Sequence, residues 1–306
     1  MTLFSAKEVL LKVESGYEFK QAELSRLKLT GVNIDGATFA NCYMRGAIVT
    51  DASCQKLNFK HTNLAFAKLT DVNLSQANLE RTEFNSATLN NVVFDDANGY
   101  KAKFFGAKLK NIRAKQMNLS FADLRDIFGQ DISFDSANLN KISAIKAALE
   151  EVNFERATLT SSDLRGANIK NSRWLRANLQ NANLSQVKLE SADFDEASLV
   201  NTKLSKSRLD AVRFVRAELI EIDLSRAELS DVDLTDSNLI SANLEGASLT
   251  NVKLNKANLQ DANCEQTVWH NVDFADCNVN GAVFSKAKGI TKQQVQWLKE
   301  NGALNI

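Results

Sequence analysis

The side chains best suited to metal binding or nucleophilic chemistry are few in this sequence and lie far apart. The 306 residues include four cysteines and two histidines: Cys42, Cys54, Cys264, Cys277, His61 and His270. No two cysteines form a CxxC pair, and none stands at the spacing from a histidine that a zinc site needs. An isolated cysteine behaves as a small apolar residue, so we expect four buried free thiols in a reducing cytosol.

Sequence motifs of known catalytic chemistry are also missing. The chain contains no GxSxG, P-loop, GxGxxG or HExxH pattern, and neither histidine is paired with a nucleophile or a second base. Carboxylates are numerous, but they follow the regular charge patterns described below. We therefore predict that the protein is not an enzyme and has no cofactor and no metal site.

Composition argues against nucleic acid and membrane as direct partners. The 37 basic residues balance the 37 acidic ones, so no overall field attracts a polyanion. No apolar run approaches the roughly 18 residues of a membrane span. The first sixteen residues lack the basic start and long apolar stretch of a secretory signal. A cytoplasmic location is expected.

A repeat of five residues organises nearly the whole chain. Every fifth residue from Phe19 to Phe284 gives 54 positions without insertion or deletion, of which 29 are Leu and 12 are Phe. The residue two before each of these centres is Ala in 26 cases, and neither position ever holds a charged residue. Both positions must be buried, since an unpaired buried charge costs several kcal/mol. The chain also contains no proline, which is typical of one repeated backbone conformation.

The period of five fits neither a plain helix nor a flat strand, so the chain must turn in the same sense every five residues. Every fourth pentapeptide differs from the others. Most of these pentapeptides have Val or Ile two before the centre, where the others mostly have Ala, and together they contain half of the Phe centres. One coil therefore consists of four pentapeptides and has four faces, and stacked coils pair as parallel strands about 4.8 Å apart. We call the face with Phe39 and Leu79 the first and the Val/Phe-rich face with Phe194 the fourth.

Stretches such as ANLSQVKLESADFDEASLVNTKL resemble the pentapeptide-repeat family, whose consensus is A-(D/N)-L-x-x. The resemblance covers about residues 16 to 288. It implies an all-β fold, a right-handed quadrilateral parallel β-helix of about 13 coils with short helical caps at both ends.

The predicted organisation has three parts: an N-terminal cap over 1–16, a single β-helix over 17–288 and a C-terminal helical cap over 289–306. In the last part, Thr291 and Gln294 have the spacing of a capping box, and Asn301 with Gly302 is a helix stop. Caps are expected because an open solenoid end exposes both core and strand edges.

The outward positions of the fourth face alternate in charge at successive coils: Arg173, Asp193, Arg213, Asp233, Lys253 and Asp273. Alternating charges one coil apart attract by a few tenths of a kcal/mol per pair. We interpret the row as a structural charge ladder that fixes coil register; a charge-patterned docking face is the alternative. On the first face, Asn recurs before the centres and predicts amide hydrogen bonds from coil to coil.

Residues 99–145 break the pattern, since small centres such as Gly99 and Gly129 leave space inside. Aromatic residues stand nearby at outward positions, among them Tyr100, Phe105 and Phe121, with Phe66 two coils earlier. Two explanations stay open. Either Phe128 or Tyr100 swings inward to fill the space left by its glycine, or the rings form an exposed patch. For the second case, Phe66, Tyr100, Phe105 and Phe121 are the predicted partner-binding residues, near the boundary of the first and second faces.

These observations favour a non-enzymatic scaffold or regulator that binds a protein partner of unknown identity, with a second copy of the chain as one candidate. The resemblance also raises an alternative, since some family members mimic DNA and bind type II topoisomerases such as gyrase. That role needs a strongly acidic surface, which a chain of zero net charge does not have. A bacterial regulator, effector or secretion accessory is a third interpretation, which the sequence does not separate from the first.

Overall fold

The computed structural model describes residues 4–306, and two compact units divide the chain, Met1–Ala157 and Thr158–Ile306. Each unit is built of stacked coils of parallel β-structure. Over the described residues the chain is a parallel β-solenoid of about 13 coils with a short helix near each end, so the predicted fold class is confirmed. The predicted single β-helix over 17–288 stays a prediction, and the first three residues of the predicted N-terminal cap lie outside the described residues.

Unit 1 begins with a helix and continues in short strands one coil apart. Its elements are α1 (Ala6–Glu14), β1 (Phe19–Lys20), β2 (Lys28–Thr30), β3 (Phe39–Ala40), β4 (Ile48–Ser53), β5 (Lys68–Asn73), β6 (Thr88–Val93), β7 (Lys108–Arg113), β8 (Phe128–Ser133) and β9 (Ala148–Asn153). Strands β4 to β9 pair in parallel with partners one coil away in sequence, as Leu69 does with Leu89.

Unit 2 repeats this arrangement with shorter strands and ends in a helix. Its elements are β10 (Asn168–Lys170), β11 (Lys188–Glu190), β12 (Arg208–Asp210), β13 (Glu228–Ser230), β14 (Ser248–Thr250), β15 (Val268–His270) and α2 (Lys292–Glu300). The register is again one full coil, as between Leu229 and Leu249. The coil of four pentapeptides inferred from the sequence is therefore the spacing between paired strands in both units.

The core consists of the two uncharged positions of each pentapeptide. The Leu and Phe centres and the small residues two before them are buried almost without exception from Cys42 onwards. Large rings stack along the fourth face inside unit 2, where Trp174, Phe194 and Phe214 follow one another at centroid distances of 5.0 and 5.1 Å. All four thiols are free and buried.

Residues 63–67 show how one pentapeptide satisfies its backbone N–H groups. Asn63 and Leu64 donate to carbonyls of the coils on either side, at 2.9 and 2.7 Å, and Phe66 donates to the next coil at 2.9 Å. Ala67 closes the turn onto the carbonyl of Leu64 at 3.0 Å. The remaining N–H, that of Ala65, donates to Oδ1 of Asn63 at 2.9 Å. The Asp or Asn side chain of the consensus therefore accepts a hydrogen bond from the one backbone N–H that finds no carbonyl partner in the turn or in the neighbouring coils.

The same contact changes the interpretation of the two polar rows seen in the sequence. Asp193 and Asp233 each accept the N–H two residues ahead at 3.0 Å, as Asn118 does at 3.1 Å. The predicted amide contacts between coils also occur on the first face, where Asn118 donates to Asn98 at 3.1 Å. The acidic and amide residues before the centres thus serve their own turn as well as the neighbouring coil.

The last residue of each pentapeptide forms the corner and adopts a left-handed backbone, with φ of 50–62° at nearly every corner without glycine. Asn and Asp tolerate this conformation well, whereas β-branched residues do not. Between the third and fourth faces, corner amides form ladders: Asn91 donates to Asp71 and Asn111 to Asn91, both at 2.8 Å. In unit 2, Asn251 donates to Asp231 at 3.0 Å in the same way.

The pair of Asp131 and Glu151 departs from this ladder, because Glu151 stands one coil after Asp131 where an amide would continue it. A hydrogen bond and charge repulsion from Asp131 raise the pKa of Glu151 above its usual value of 4.5. A raised native pKa means that this site stabilises the fold most in acid, and that the contribution is lost as pH rises through the raised pKa.

We expect Glu151→Asn to raise the melting temperature at pH 7, since it supplies the donor that Asn91 and Asn251 supply elsewhere and removes a like-charge pair. The gain should shrink as the pH falls below 4.5, where the wild-type carboxyl holds its proton. Melting curves between pH 4 and pH 8 measure both effects. The converse change, Asn91→Asp, is the control and should destabilise at pH 7 only. An equal gain at pH 4 and pH 7 would contradict the assignment.

Both ends are closed by helices with capping boxes. Ser5 and Glu8 exchange hydrogen bonds at the start of α1, and Thr291 and Gln294 do so at the start of α2, at 3.0 and 3.2 Å. The predicted capping box of α2 is confirmed. After α2 the chain returns to the last coil, where the N–H of Leu304 donates to the carbonyl of Ala282 at 2.8 Å. This returning segment covers strand edges that would otherwise be open.

Candidate interaction surface

Tyr100 and Phe121 form the centre of the exposed aromatic surface of unit 1. Tyr100 follows the first-face centre Gly99, and Phe121 occupies the corner between the first and second faces one coil later, with φ of 61°. Their ring centroids lie 5.7 Å apart at an interplanar angle of 75°. Phe121 is 46% exposed, although a left-handed corner is an unfavourable place for so large a side chain.

Two lysines flank these rings. Nζ of Lys101 lies 5.0 Å from the ring centroid of Tyr100 and 5.7 Å from that of Phe121, and Nζ of Lys141 lies 5.2 Å from that of Phe121. Neither lysine forms an ion pair within residues 4–306. We call the corner that carries His61, Arg81, Lys101, Phe121 and Lys141, one coil apart each, the basic corner. Lys101 and Lys141 are held at ring distance and remain available to an anionic partner.

The other two predicted residues do not join this pair. Phe105 lies on the second face, 44% exposed, with the guanidinium of Arg125 at 5.6 Å from its ring. Phe66 is 50% exposed at the corner between the second and third faces, with Arg45 over its ring at 4.3 Å. Placing all four near the boundary of the first and second faces was therefore wrong for Phe66. No ring contact in the described chain connects either residue with Tyr100 or Phe121.

The space beside the inward glycines is filled by aliphatic side chains. A Cβ on Gly99 would lie 2.8 Å from Cε of Met117 and 2.9 Å from Leu119, and one on Gly129 would lie 2.7 Å from Ile132. Phe128 points outward and is 60% exposed. The inward swing of Phe128 or Tyr100 is therefore wrong, and residues 99–145 keep the coil register with their aromatics at the surface.

Two further exposed rings and a set of aliphatic residues were missed by the sequence reasoning. Tyr43, 55% exposed, also lies outward in unit 1. The predicted burial of Tyr17, two before the centre Phe19, was wrong: its ring is 47% exposed, with Nζ of Lys12 from α1 at 4.4 Å.

In unit 2, Val200, Ile220 and Ile240 stand half-buried at the same position of three successive coils of the first face. Reading every twentieth residue instead of every fifth would have found this line. We call these three residues the aliphatic line.

Carboxylates without ion pairs border the aliphatic line. Glu218 precedes the centre of the same coil as Ile220 and accepts a hydrogen bond from Asn238 at 3.1 Å. Glu221 occupies the following corner with φ of 56°. Neither glutamate lies in an ion pair within the described residues. The aliphatic line therefore has a negative border, where the rings of unit 1 have a positive one.

The predicted charge ladder of the fourth face is paired unevenly. Arg213 forms its short ion pair with Asp195 at 2.6 Å and reaches Asp233 only at 3.9 Å. In the neighbouring row Glu196 lies between Arg176 and Arg216, at 2.7 and 3.0 Å, and their hydrogen bonds lower its pKa. The ladder of Arg173, Asp193, Arg213, Asp233, Lys253 and Asp273 stays a prediction.

The described part of the chain shows no cluster of metal ligands, and three of its four thiols are poor nucleophiles. It contains no group of three or more His, Cys, Asp or Glu side chains placed to hold an ion. Burial raises the pKa of Cys54, Cys264 and Cys277 to about 12, which leaves them as poor nucleophiles. A groove of about 650 Å³ beside α2 is lined by side chains such as Asn251 and Asn271, which already bond to each other. Neither described helix is long and apolar enough to span a membrane.

Comparison with known proteins identifies the repeat. A family model described as a pentapeptide repeat region matches residues 185–264, and one described as pentapeptide repeats in eight copies matches 58–96, 77–113, 137–173 and 253–288. No curated protein matches the sequence.

Solved structures of other repeat proteins are similar to this chain. QnrB1, a plasmid-mediated fluoroquinolone resistance protein, is 19% identical over 70% of this chain and 94% of its own, with a TM-score of 0.41. HetL, a protein involved in heterocyst differentiation regulation in Nostoc sp. strain PCC 7120, is 20% identical over 92% of this chain and 97% of its own, with a TM-score of 0.21. A thylakoid lumen protein of Arabidopsis thaliana is 24% identical over 37% and 76%, with a TM-score of 0.19.

Proposed function

The chain belongs to the pentapeptide-repeat family, and on that premise we propose that it is a non-enzymatic scaffold that binds a protein partner through the outward faces of its coils. The observation that carries the proposal is that each of the outward rings Phe66, Tyr100, Phe105 and Phe121 of unit 1 is accompanied by a cation. Water disfavours large exposed rings, and aromatic and arginine side chains commonly anchor protein interfaces.

The docking surface consists of Phe66, Tyr100, Phe105 and Phe121 together with the cations over their rings. Each of Phe66, Phe105 and Phe121 is between 44% and 50% exposed. The backbone beneath them is fixed by coil-to-coil hydrogen bonds, such as that from the N–H of Phe121 to the carbonyl of Asn140 at 2.9 Å. Preorganised side chains lose little entropy when a partner covers them.

No observation favours the alternative of a DNA mimic that protects topoisomerases. Such a role requires a uniformly negative surface. Here the four rings of the docking surface are bordered by lysine and arginine, and Glu196 on the fourth face is held by two arginines. The proposal therefore gives this chain a protein partner whose contact surface contains carboxylates and apolar groups.

A triple variant with Tyr100→Ser, Phe105→Ser and Phe121→Ser tests the docking surface. We expect an unchanged melting temperature, because the rings lie outside the core, and loss of partner proteins captured from extract of the native host. Phe128→Ser, which removes an exposed ring from the third face, is the control and should capture partners as the wild type does. Undiminished capture by the triple variant, or a large fall in its melting temperature, would contradict the assignment.

A further inference from the structure

The basic corner of unit 1 carries its charge in a single line. Arg81, Lys101 and Lys141 occupy the same corner position of three coils, and Phe121 occupies it between the two lysines. None of the three cations forms an ion pair within the described residues, although Arg81 lies close enough to Glu80 to attract its carboxylate. A ligand that complements this corner must place carboxylates opposite the cations and an apolar group opposite Phe121.

The charges on either side of the corner are already paired. Three ion pairs at 2.7–2.9 Å stand there, namely Lys60 with Glu80, Lys103 with Glu83 and Arg125 with Asp123. The available positive charge is therefore confined to a line one residue wide. A nucleic acid, which is charged along its whole backbone, would meet existing ion pairs on both sides of that line. A protein segment with carboxylates on one face fits the line better.

The spacing of the corner positions selects the conformation of that segment. Corner residues repeat about every 4.8 Å along the solenoid. Side chains on one face of an α-helix return about every 5.4 Å, whereas those on one side of an extended strand return about every 6.8 Å. Over the three coil steps from Arg81 to Lys141, a helix falls out of step by about 2 Å and a strand by about 6 Å. Long side chains absorb the first mismatch, but the second exceeds one whole coil.

The corner cannot stretch to suit a longer repeat, because its backbone is bonded from coil to coil. The N–H groups of Arg81, Lys101 and Phe121 donate to the carbonyls of Tyr100, Ser120 and Asn140 at 2.9, 3.0 and 2.9 Å. The spacing is therefore the same before and after a partner binds, and a segment that already has the matching repeat loses the least free energy on docking.

We propose that the basic corner binds one α-helix of a partner protein, which lies along the corner with an acidic face towards it. The inference rests on the proposed function, because it names the kind of partner that this docking surface receives. With 3.6 residues per turn, the side chains at i, i+4, i+7 and i+11 of a helix share one face. Counted from Arg81 to Lys141, the helix presents carboxylates at i, i+4 and i+11 and an apolar side chain at i+7. In the opposite direction the apolar side chain stands at i+4.

Phe121 is the anchor of this contact. Nζ of Lys101 and Nζ of Lys141 lie 5.7 and 5.2 Å from its ring centroid, one coil before it and one coil after it. An apolar side chain with a carboxylate one helical turn away on each side therefore reaches the ring while the carboxylates reach the two lysines. Tyr100 widens the apolar contact, since its ring lies 5.7 Å from that of Phe121. The rings supply the affinity, and the charges fix the register.

Fluorescence anisotropy with stapled, alanine-rich helical peptides tests the assignment. One probe carries Glu at i, i+4 and i+11 with Leu at i+7, and the other carries Glu at i, i+7 and i+11 with Leu at i+4. The controls are a helix of the same composition with these four side chains spread around it, an extended peptide with Glu at alternate residues, and a single-stranded oligonucleotide. One of the two probes should bind at least tenfold more tightly than every control, and added salt should weaken its binding.

Variants of the protein show whether the helix lies on the basic corner. Lys101→Glu combined with Lys141→Glu should weaken binding of the matched helix at least tenfold, and Phe121→Ser at least fivefold. Melting temperatures should stay close to that of the wild type, because these side chains lie outside the core. The matched control is Lys108→Glu combined with Lys110→Glu, which reverses two exposed lysines on the third face of the same unit. It should bind the helix within twofold of the wild type.

The helix assignment would be overturned if neither matched helix bound, if the extended peptide or the oligonucleotide bound as tightly, or if the third-face control lost as much affinity as the corner variant. None of these results would by itself remove the scaffold function. Partner capture by the wild type, and its loss in the Tyr100, Phe105 and Phe121 variant, would then indicate a docked partner of another shape.

Discussion

Replacing Phe194 by Ala should lower the free energy of unfolding by about 3–5 kcal/mol. The ring is fully buried and lies between Trp174 at 5.0 Å and Phe214 at 5.1 Å, nearly parallel to both. Its removal would leave a cavity that neighbours cannot fill, because the coil backbone on both sides is fixed by hydrogen bonds such as that from Phe194 to Arg213 at 2.8 Å. The expected effect combines lost apolar burial with that cavity.

Urea unfolding followed by circular dichroism measures the change. Phe128→Ala is the matched control, since it removes the same ring from a position that is 60% exposed, and its midpoint should stay near that of the wild type. Equal midpoint shifts for the two variants would contradict the inward assignment of Phe194.

Gly289→Ala should destabilise the C-terminal cap by more than about 3 kcal/mol. Gly289 connects the last coil to α2 with φ of 80°, and a Cβ at this position would lie 1.8 Å from the backbone oxygen of Trp269. The backbone of Trp269 cannot retreat, because its N–H donates to Lys288 at 2.9 Å. The left-handed conformation itself costs an L-residue about 1–2 kcal/mol. The segment that leads into α2 must therefore move away from the coil.

Gly246→Ala is the control for the conformational cost alone. Gly246 also has a positive φ, 65°, but the nearest atom to an added Cβ is Cγ of Arg226 at 3.5 Å, an ordinary contact. We expect a loss of about 1 kcal/mol there. Limited proteolysis near residue 289, combined with thermal melting, distinguishes the two variants. If both lose equal stability, the close approach to Trp269 does not constrain the cap.

The fold was predictable because burial excludes charge from two positions in every five. The length of the coil followed from the Val and Phe of the fourth face, and the strands of both units pair in that same register, as Leu69 does with Leu89 and Leu229 with Leu249. The left-handed corner was not predicted. The sequence indicates this conformation only by the absence of β-branched residues from corner positions such as Asn91. Such an absence is a weaker signal than a row of leucines.

The aromatic surface was predictable only in part. The repeat position identified Tyr100, Phe105 and Phe121 as outward residues. The sequence did not decide whether a ring would turn inward to fill the space beside an inward glycine. Packing decided the question, because flexible Met117 and Leu119 reach the space beside Gly99. Most of the cations over the rings, and the aliphatic line, become visible only when residues about one coil apart are compared. Reading every fifth residue compares residues on successive faces instead.

The pairing of each strand with the strand one coil away also limits how this chain can change in length. Duplication or loss of one whole coil would leave every later residue on the same face and stacked on the same kind of position in the coil before it. Gain or loss of a single pentapeptide would keep the Leu and Phe centres inside, yet it would carry all later residues a quarter-turn round the solenoid. Inserting one pentapeptide between Tyr100 and Phe121 would thus place the two rings on different edges while leaving the core intact. A surface built from residues stacked one coil apart, unlike the core, is therefore preserved only when whole coils are gained or lost.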